Sequence, residues 1–512
     1  MEIELKLAIA PDKVRALRAH PLLRRHATGS AQEYKLSDRY FDTFDLQFWK
    51  QGAGLRVRKA GGSWMQTLKG GGEVAGGLHR RHEWESPLNG PQPDFATLRQ
   101  MLDAHSDWAQ LLAPPDLEER LQCVFSVDFK RTVWLLRLDS GDEIELALDR
   151  GQITHGDRRL PLSEIELELK AGSPACLLEL ALELMDAVPL CISHASKAQH
   201  GYALHAPQTP TVVRAQKLYL PRCANVETGF RRIATNCLAQ VQGNEAAVFA
   251  GNVPEGIHQM RVGLRRLRSA LGLFGDLIPL PPQLPAEIAW LSEELAGARD
   301  WEVLLESTLP SMGLSAETDM EPLRAAMQSR AEAGRERARA ALGSPRYARL
   351  AIGLSAWLAD TGWRPALNPK QERKLEKPLR RFARQVLTQR HAVLSKRGRR
   401  LAHAEASQRH RLRIAAKKAR YAAEFFQSLY GGKRLRTYID ALSRLQDTLG
   451  RLNDMAVADA LLLEIQQSGS RAEAGAAGYA RGRLAAMLEN ELARLVPRWK
   501  RFLKKSKAAA HF

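Results

Sequence analysis

No uninterrupted apolar run among the 512 residues is long enough to cross a bilayer, so a helical membrane span is excluded. No secretory leader is read either, and a first strand in which Glu2 does chemistry would leave no room for one. Cysteine is scarce: Cys123, Cys176, Cys191, Cys223 and Cys237 are scattered, odd in number and form no CxxC pair. That argues against a disulfide framework or a zinc site and predicts reduced, buried thiols in a cytosolic protein. A nucleotide P-loop is missing as well. Gly70-Gly71-Gly72 is not followed by Lys-Ser/Thr and opens no helix, so it reads as a loop ending a strand. The basic segments of the second half show little aromatic interleaving, which argues against a single-strand nucleic-acid binder; binding to a duplex backbone stays open.

What is present is enough for ordinary packed cores: 45% of the residues are hydrophobic, and the length calls for at least two domains. The net charge of +19 is unevenly divided. Residues 1–210 hold 25 Lys and Arg against 29 Asp and Glu, a net of −4; residues 211–512 hold 51 against 28, a net of +23. The halves therefore have different partners or different jobs. The basic half attracts a polyanion: nucleic acid, an anionic membrane surface or a phosphate polymer.

The first half is organised around its opening strand. In Glu2-Ile3-Glu4-Leu5-Lys6-Leu7 the charged residues share one face and the apolar residues the other. Carboxylates two residues apart on a strand lie about 7 Å apart, a spacing that suits shared ligation of a hard divalent cation. A half-buried strand with a charged solvent face looks the same. The pattern returns, however, in Glu164-Ile165-Glu166-Leu167-Glu168-Leu169-Lys170. Between them lie strands with basic residues on one face: Arg56 and Arg58, Lys69, Arg81 beside Glu83 and Glu85, Lys130-Arg131, and then acidic Glu143-Ile144-Glu145 through Asp149. Residues 94–112 read as one helix. If the sheet closes, the polar face becomes a lumen with acidic and basic walls, suited to a small, highly charged phosphate chain.

Glu2-x-Glu4-x-Lys6, Leu55-Arg56-Val57-Arg58, Lys69 in Thr-Leu-Lys-Gly, Arg81-x-Glu83-x-Glu85, Lys130-Arg131, Glu166-x-Glu168 and Ser196-Lys197 resemble, in that order, the CYTH superfamily of triphosphate tunnel metalloenzymes. The resemblance covers residues 1–205. It implies an antiparallel eight-stranded tunnel with flanking helices, Mg²⁺ or Mn²⁺ as cofactor, and triphosphate chemistry. By position it implies that Glu2, Glu4, Glu166 and Glu168 ligate metal and, with Lys6, do the catalysis. Arg56, Arg58, Lys69, Arg81, Arg131 and Lys197 would line the phosphate path. Glu83, Glu85, Glu143, Glu145, Asp149 and Glu164 would either orient basic side chains or touch metal.

Residues 206–222, with Pro207 and Pro210, read as a linker. Beyond it the composition turns to Ala, Leu and Arg at helical spacing. His258, Arg261, Arg265 and Arg268 fall within a stripe about 80° wide on a helix. The pattern returns 152 positions later as His410, Arg413, Lys417 and Arg420, with Arg266 and Lys418 also corresponding. Companion segments Arg299-Asp300 and Asn453-Asp454 follow each copy, so the half reads as one helical unit used twice. Each histidine has cations rather than further ligands for neighbours, which suits a phosphate donor better than a metal site. These motifs, with Ser344-Pro345-Arg346-Tyr347, resemble the CHAD domain. The resemblance covers residues 223–503, as two bundles of about 223–350 and 370–503 with a basic tail at 504–512. It implies a surface that binds inorganic polyphosphate through His258, Arg261, Arg265, Arg266, Arg268, His410, Arg413, Lys417, Lys418 and Arg420.

The expectation is thus an α+β multidomain protein: a β-barrel tunnel followed by an all-α domain of two duplicated helical bundles. The tunnel would hydrolyse inorganic triphosphate to diphosphate and phosphate, and the helices would dock polyphosphate. Its place would be the cytoplasm, beside polyphosphate granules, with no membrane partner. Other readings are a thiamine-triphosphatase, an adenylate-cyclase-like enzyme, and a non-catalytic polyphosphate scaffold.

Overall fold

In the computed structural model, which describes residues 2–75, 78–193, 195–206, 209–251, 254–313, 319–430 and 433–507, the chain forms two units. One is Met1–Pro210 with Leu342–Asp360; the other is Thr211–Ala341 with Thr361–Phe512.

The first unit is a closed antiparallel barrel of eight strands. They are β1 (Glu2–Ile9), β2 (Gln32–Thr43), β3 (Ala53–Ala60), β4 (Ser63–Ala75), β5 (Leu78–Leu88), β6 (Leu121–Arg137), β7 (Glu143–His155) and β8 (Arg158–Ala171). They run in the order β5-β4-β3-β2-β6-β7-β8-β1, and β1 pairs with β5 to close the ring. A short β9 (Leu190–Ile192) adds to β1 outside the ring. The period-two pattern decides which side chains face in. Leu5 and Leu7 are fully buried on the outer face, while Glu2, Glu4 and Lys6 face the lumen. Closing the ring is what turns a charged sheet face into a cavity.

One end of the lumen is filled by apolar side chains. Phe125, Val127 and Phe129 alternate inward with Arg131 on β6 and pack with Tyr40, Ile153 and Leu162. The Lys197–His205 helix joins this plug through Tyr202, whose ring meets Phe125 at 5.2 Å and whose hydroxyl donates to Asp42 at 2.8 Å. Gly201 is required there, since a Cβ would stand 2.1 Å from the Phe125 ring. A second core lies outside the barrel, where Leu55, Val57 and Leu68 meet Phe95, Leu98 and Leu111.

Two local expectations change. The glycine run does not end a strand: β4 continues through it as a bulge, with the register shifting between Gly70 and Glu73. Gly71 and Gly72 take φ of 64° and 106°, and a Cβ on Gly72 would lie 1.9 Å from the Arg80 carbonyl oxygen; a bulge here needs glycine. Residues 94–112 form two helices, Phe95–Met101 and Asp107–Leu111, because Asp103 and Ser106 bind nearby backbone and start a new turn.

The Pro345–Ala359 helix belongs to this unit although it is encoded within the helical half. It packs on the Ala175–Leu184 helix and on β9. Ile352, Leu354 and Leu358 on it are buried, and Arg349 pairs with Asp186 at 2.9 Å.

The second unit is helical. The two basic segments form the Pro254–Phe274 and Ala406–Phe425 helices, which pack on each other. The 152-residue offset has a structural counterpart. Phe230 and Phe274 correspond to Phe382 and Phe426, and the four rings meet, with Phe274 and Phe382 at 4.8 Å. A further core draws Trp301, Leu304 and Met327 from one copy and Met455, Leu462 and Leu484 from the other. The final helix, Arg471–Lys507, runs into the segment read as a tail; residues 508–512 lie outside the described residues. No helix among the described residues is long and apolar enough to cross a membrane.

Candidate functional site

The lumen of the barrel holds a cavity of about 440 Å³. Strand register stacks its charges in layers. Nearest the plug, Arg131, Asp149 and Glu164 lie across β6, β7 and β8. The next layer brings Glu166 beside Lys6, and the one after sets Glu145, Glu168 and Glu4 side by side on β7, β8 and β1. Glu2 stands opposite Arg81 of β5. All the residues expected to act in the tunnel line this cavity: Glu2, Glu4, Lys6, Glu166 and Glu168 with the basic Arg56, Arg58, Lys69, Arg81, Arg131 and Lys197.

The floor is a nearly dry network of charges. Lys197, in the first turn of its helix, places Nζ 2.5 Å from Glu164, 2.7 Å from Asp149 and 3.0 Å from Glu166. Arg131 donates to both oxygens of Asp149, at 2.8 and 2.7 Å, and also to Glu166. Lys6 binds Glu4 at 2.7 Å and Glu166 as well. Burial alone would raise the Glu166 carboxyl, but Lys197, Lys6 and Arg131 hold it well below the usual range. Burial likewise would lower the Lys6 ammonium, yet Glu166 and Glu4 raise it.

Carboxylates and cations face each other towards the open end. Lys69 reaches Glu2 at 2.8 Å and Glu83 at 3.0 Å. Arg56 reaches Glu85 at 3.3 Å and Thr67 at 2.9 Å. Arg81 takes part in no ion pair among the described residues, so its charge is available to a ligand. Burial first, then the nearby charges of Glu2 and Glu145, raise the Glu168 carboxyl. Such crowding of oxygen ligands is what a hard divalent cation relieves. Glu2, Glu4 and Glu168 supply oxygen donors of that kind, each held by a lysine: Glu2 by Lys69 at 2.8 Å, Glu4 by Lys6 at 2.7 Å and Glu168 by Lys170 at 2.8 Å. A tighter group, Asp149, Glu164 and Glu166, has ligand atoms within 4.8 Å of one another, but the Lys197 ammonium already sits among them.

Asp38 was not singled out from sequence. It is fully buried and clamps Arg58 through two bonds of 2.7 and 2.8 Å. It shares the inward face of β2 with Leu36 and Tyr40, two residues to either side, and that period is the signal for it in the sequence. Asp149 orients Arg131, and Glu83 and Glu85 orient Lys69 and Arg56. Glu143 sits at the exposed end of β7 with Arg137. Of the tryptophans, Trp49 lines the cavity, stacked on Tyr202 at 4.5 Å; Trp64 and Trp84 pack against the outer core.

In the second unit the two basic helices bring their cations together. Arg413 feels Asp454, Arg265 and Asp300, and Lys417 feels Arg413, Arg265 and Arg420. Arg261 reaches Asp300 at 3.5 Å. Burial first, then Arg413 and Arg265, push the Lys417 ammonium down to about 7. Burial, and then Arg299, also lower the His258 imidazole. Arg261 Nη1, Arg265 Nε and Arg413 Nε are buried without a hydrogen-bond partner among the described residues, whereas Arg420 Nε faces the Glu424 carboxylate at 3.2 Å. The remaining residues of the expected set lie elsewhere. Arg268 and Lys418 are exposed and share a face with Arg390 and Arg397. His410 lines a cleft that Arg413 also borders. Arg266 turns inward, donating to Gln240 at 2.7 Å and Asn236 at 2.9 Å and stacking over Phe425.

The CYTH domain model matches residues 1–202 and the CHAD domain model residues 232–463. The chain belongs to the CHAD family, and its first 202 residues match the CYTH domain model. Its CYTH half is similar to an inorganic triphosphatase of Haemophilus influenzae, 36% identical over 208 residues. That alignment covers 40% of this chain and 56% of the relative, so the chain spans little more than half of the curated protein it matches. The CHAD half is similar to the crystal structure of the CHAD domain from the plant Ricinus communis, at 43% identity and a TM-score of 0.51. That match covers 56% of this chain and 96% of the plant domain.

Proposed function

We propose that the CYTH tunnel hydrolyses inorganic triphosphate to diphosphate and phosphate, and that the CHAD unit binds polyphosphate. The observation that carries the first part is the cavity itself, with Glu2, Glu4 and Glu168 facing Arg56, Lys69 and Arg81 across a closed barrel. Arg56, Lys69 and Arg81 neutralise phosphate oxygens, and their placement before reaction supplies the electrostatic part of the acceleration. Glu2, Glu4, Glu166 and Glu168 would hold Mg²⁺ or Mn²⁺, which when bound supplies Lewis acidity to those oxygens. Water attacks the terminal phosphorus in line, the bridging P–O bond breaks towards diphosphate, and a tunnel carboxylate takes the proton. Lys6, Arg131 and Lys197 fix the carboxylates of the floor.

Trp49 at the cavity supports a second reading, an organic triphosphate whose flat group rests on the indole. Phosphate release from triphosphate, ATP and thiamine triphosphate, each with Mg²⁺ or Mn²⁺, separates the two. Triphosphate is expected to be the fastest; no release from it would refute the hydrolytic reading, and equal release without metal would refute the part given to the cation.

The buried guanidinium nitrogens of Arg261, Arg265 and Arg413 that lack a hydrogen bond among the described residues carry the polyphosphate reading. Placement in the cytoplasm beside polyphosphate granules belongs to the same reading. A bound polyanion pushes Lys417 back up from about 7. Affinity is then fully present below pH 7 and falls as pH rises above it, by at most about tenfold per pH unit for one proton. Lys417→Arg, a cation that does not titrate in this range, is expected to flatten the profile. Polyphosphate retention measured against pH at constant ionic strength checks this, and a flat wild-type profile counts against it.

A further inference from the structure

We propose that the second CHAD copy carries a binding cleft for an organic phosphate with an aliphatic tail, which the first copy lacks. The inference rests on how the two copies differ at matching positions, and it shares His410 and Arg413 with the polyphosphate reading.

Aligned on Arg299-Asp300 and Asn453-Asp454, Trp301 corresponds to Met455 and Glu302 to Ala456. In the first copy this place is filled. Glu302 is 1% exposed and pairs with Arg335 at 3.3 Å and Arg299 at 3.7 Å. The helix behind it, Glu321–Leu342, comes so close at Gly334 that a Cβ would stand 2.5 Å from the Ala298 nitrogen. In the second copy the bulky ion pair is replaced by Asn453 and Ala456. A cavity of about 640 Å³ opens there between the Ala406–Phe425, Lys433–Ser468 and Arg471–Lys507 helices. Gly482 in its wall has nothing within 4 Å of where a Cβ would be.

The cleft has two kinds of wall. Leu449, Leu452, Met455, Leu484 and Leu488 make one side aliphatic. Arg409, His410 and Arg413 stand at the other. Arg481 is tied to Asp459 and Gln466, both at 2.7 Å, and is not free to bind. The buried Nε of Arg413 has no partner among the described residues. An inorganic polyanion gains nothing from five aliphatic side chains. A phosphate ester gains from both walls: its head meets His410 and Arg413, and its chain displaces water from the leucines. Apart from the His410 imidazole, no Phe, Tyr or Trp among the described residues lines the cavity, which favours an alkyl or prenyl chain over a nucleobase.

The test is calorimetric titration of the full chain with octyl phosphate, below its micelle concentration, and with inorganic phosphate. Octyl phosphate is expected to bind at least about tenfold more tightly, at a single site. Ala456 and Ala485 are exposed positions on the cleft, so larger side chains there leave the fold intact. Ala456→Trp and Ala485→Phe are expected to remove the gain from the octyl chain and to leave long-chain polyphosphate retention unchanged. The proposal fails if octyl phosphate binds no more tightly than phosphate, or if its extra affinity survives both substitutions. Loss of polyphosphate retention in Arg413→Glu tests the other reading and bears on this one only through the phosphate head.

Discussion

A Glu4→Ala chain is expected to keep its fold and lose phosphate release from triphosphate by at least about a hundredfold. Glu4 is 5% exposed, yet the barrel does not depend on it: among the described residues its carboxylate binds Lys6 alone, and Lys6 keeps Glu166 as a second partner. What it does supply is a lumen oxygen level with Glu168 and Glu145, where the proposed cation would sit. Glu143→Ala is the control. Glu143 stands on the same face of β7 but pairs with exposed Arg137, and its loss should leave the rate unchanged. Steady-state phosphate release with circular dichroism for both variants decides the matter. Wild-type turnover in Glu4→Ala would remove Glu4 from the site.

The largest effect on stability is expected from Lys197→Met. The ammonium is buried among three carboxylates, Asp149, Glu164 and Glu166, and Arg131 and Lys6 alone would remain to balance them. Breaking a buried pair from one side costs about 3–5 kcal/mol, because the charge left behind has lost both water and partner. Lys170→Met, by contrast, removes a side chain that is 38% exposed and paired with Glu168 and Glu145. Its cost should stay within about 1 kcal/mol. Denaturant unfolding of the two variants should separate clearly, and equal midpoints would mean that the floor of the tunnel is wetter than its geometry implies.

The parts legible from sequence were those carried by local period. Alternating charge marked β1 and β8, and the repeated carboxylates implied that they meet; the barrel sets them side by side. The helical stripe marked the basic helices, and the 152-residue offset reappears as four phenylalanines in contact. Cross-strand pairing was not legible, because register is set by turns and bulges rather than by either strand alone. Arg58 is therefore on the expected face, yet its clamp by Asp38 depends on the β2–β3 register. The same holds for Lys197 reaching the floor from a helix some thirty residues beyond the β8 carboxylates it neutralises. Arg266 had a visible warning: at 100° per residue it falls about 80° past His258, outside the basic stripe. Matching the two copies alone placed it among the anion ligands, whereas its guanidinium holds Gln240 and Asn236.

The Pro345–Ala359 helix has a consequence for how the protein is made. The strands of the tunnel leave the ribosome early, but the helix that covers β9 and the Ala175–Leu184 helix emerges only after much of the CHAD sequence. Until then the nascent tunnel shows an apolar flank, and its last element must be fetched from a later stretch of message. A gene fragment that stops at the linker never encodes that element, so the two units do not separate at a simple cut in the reading frame.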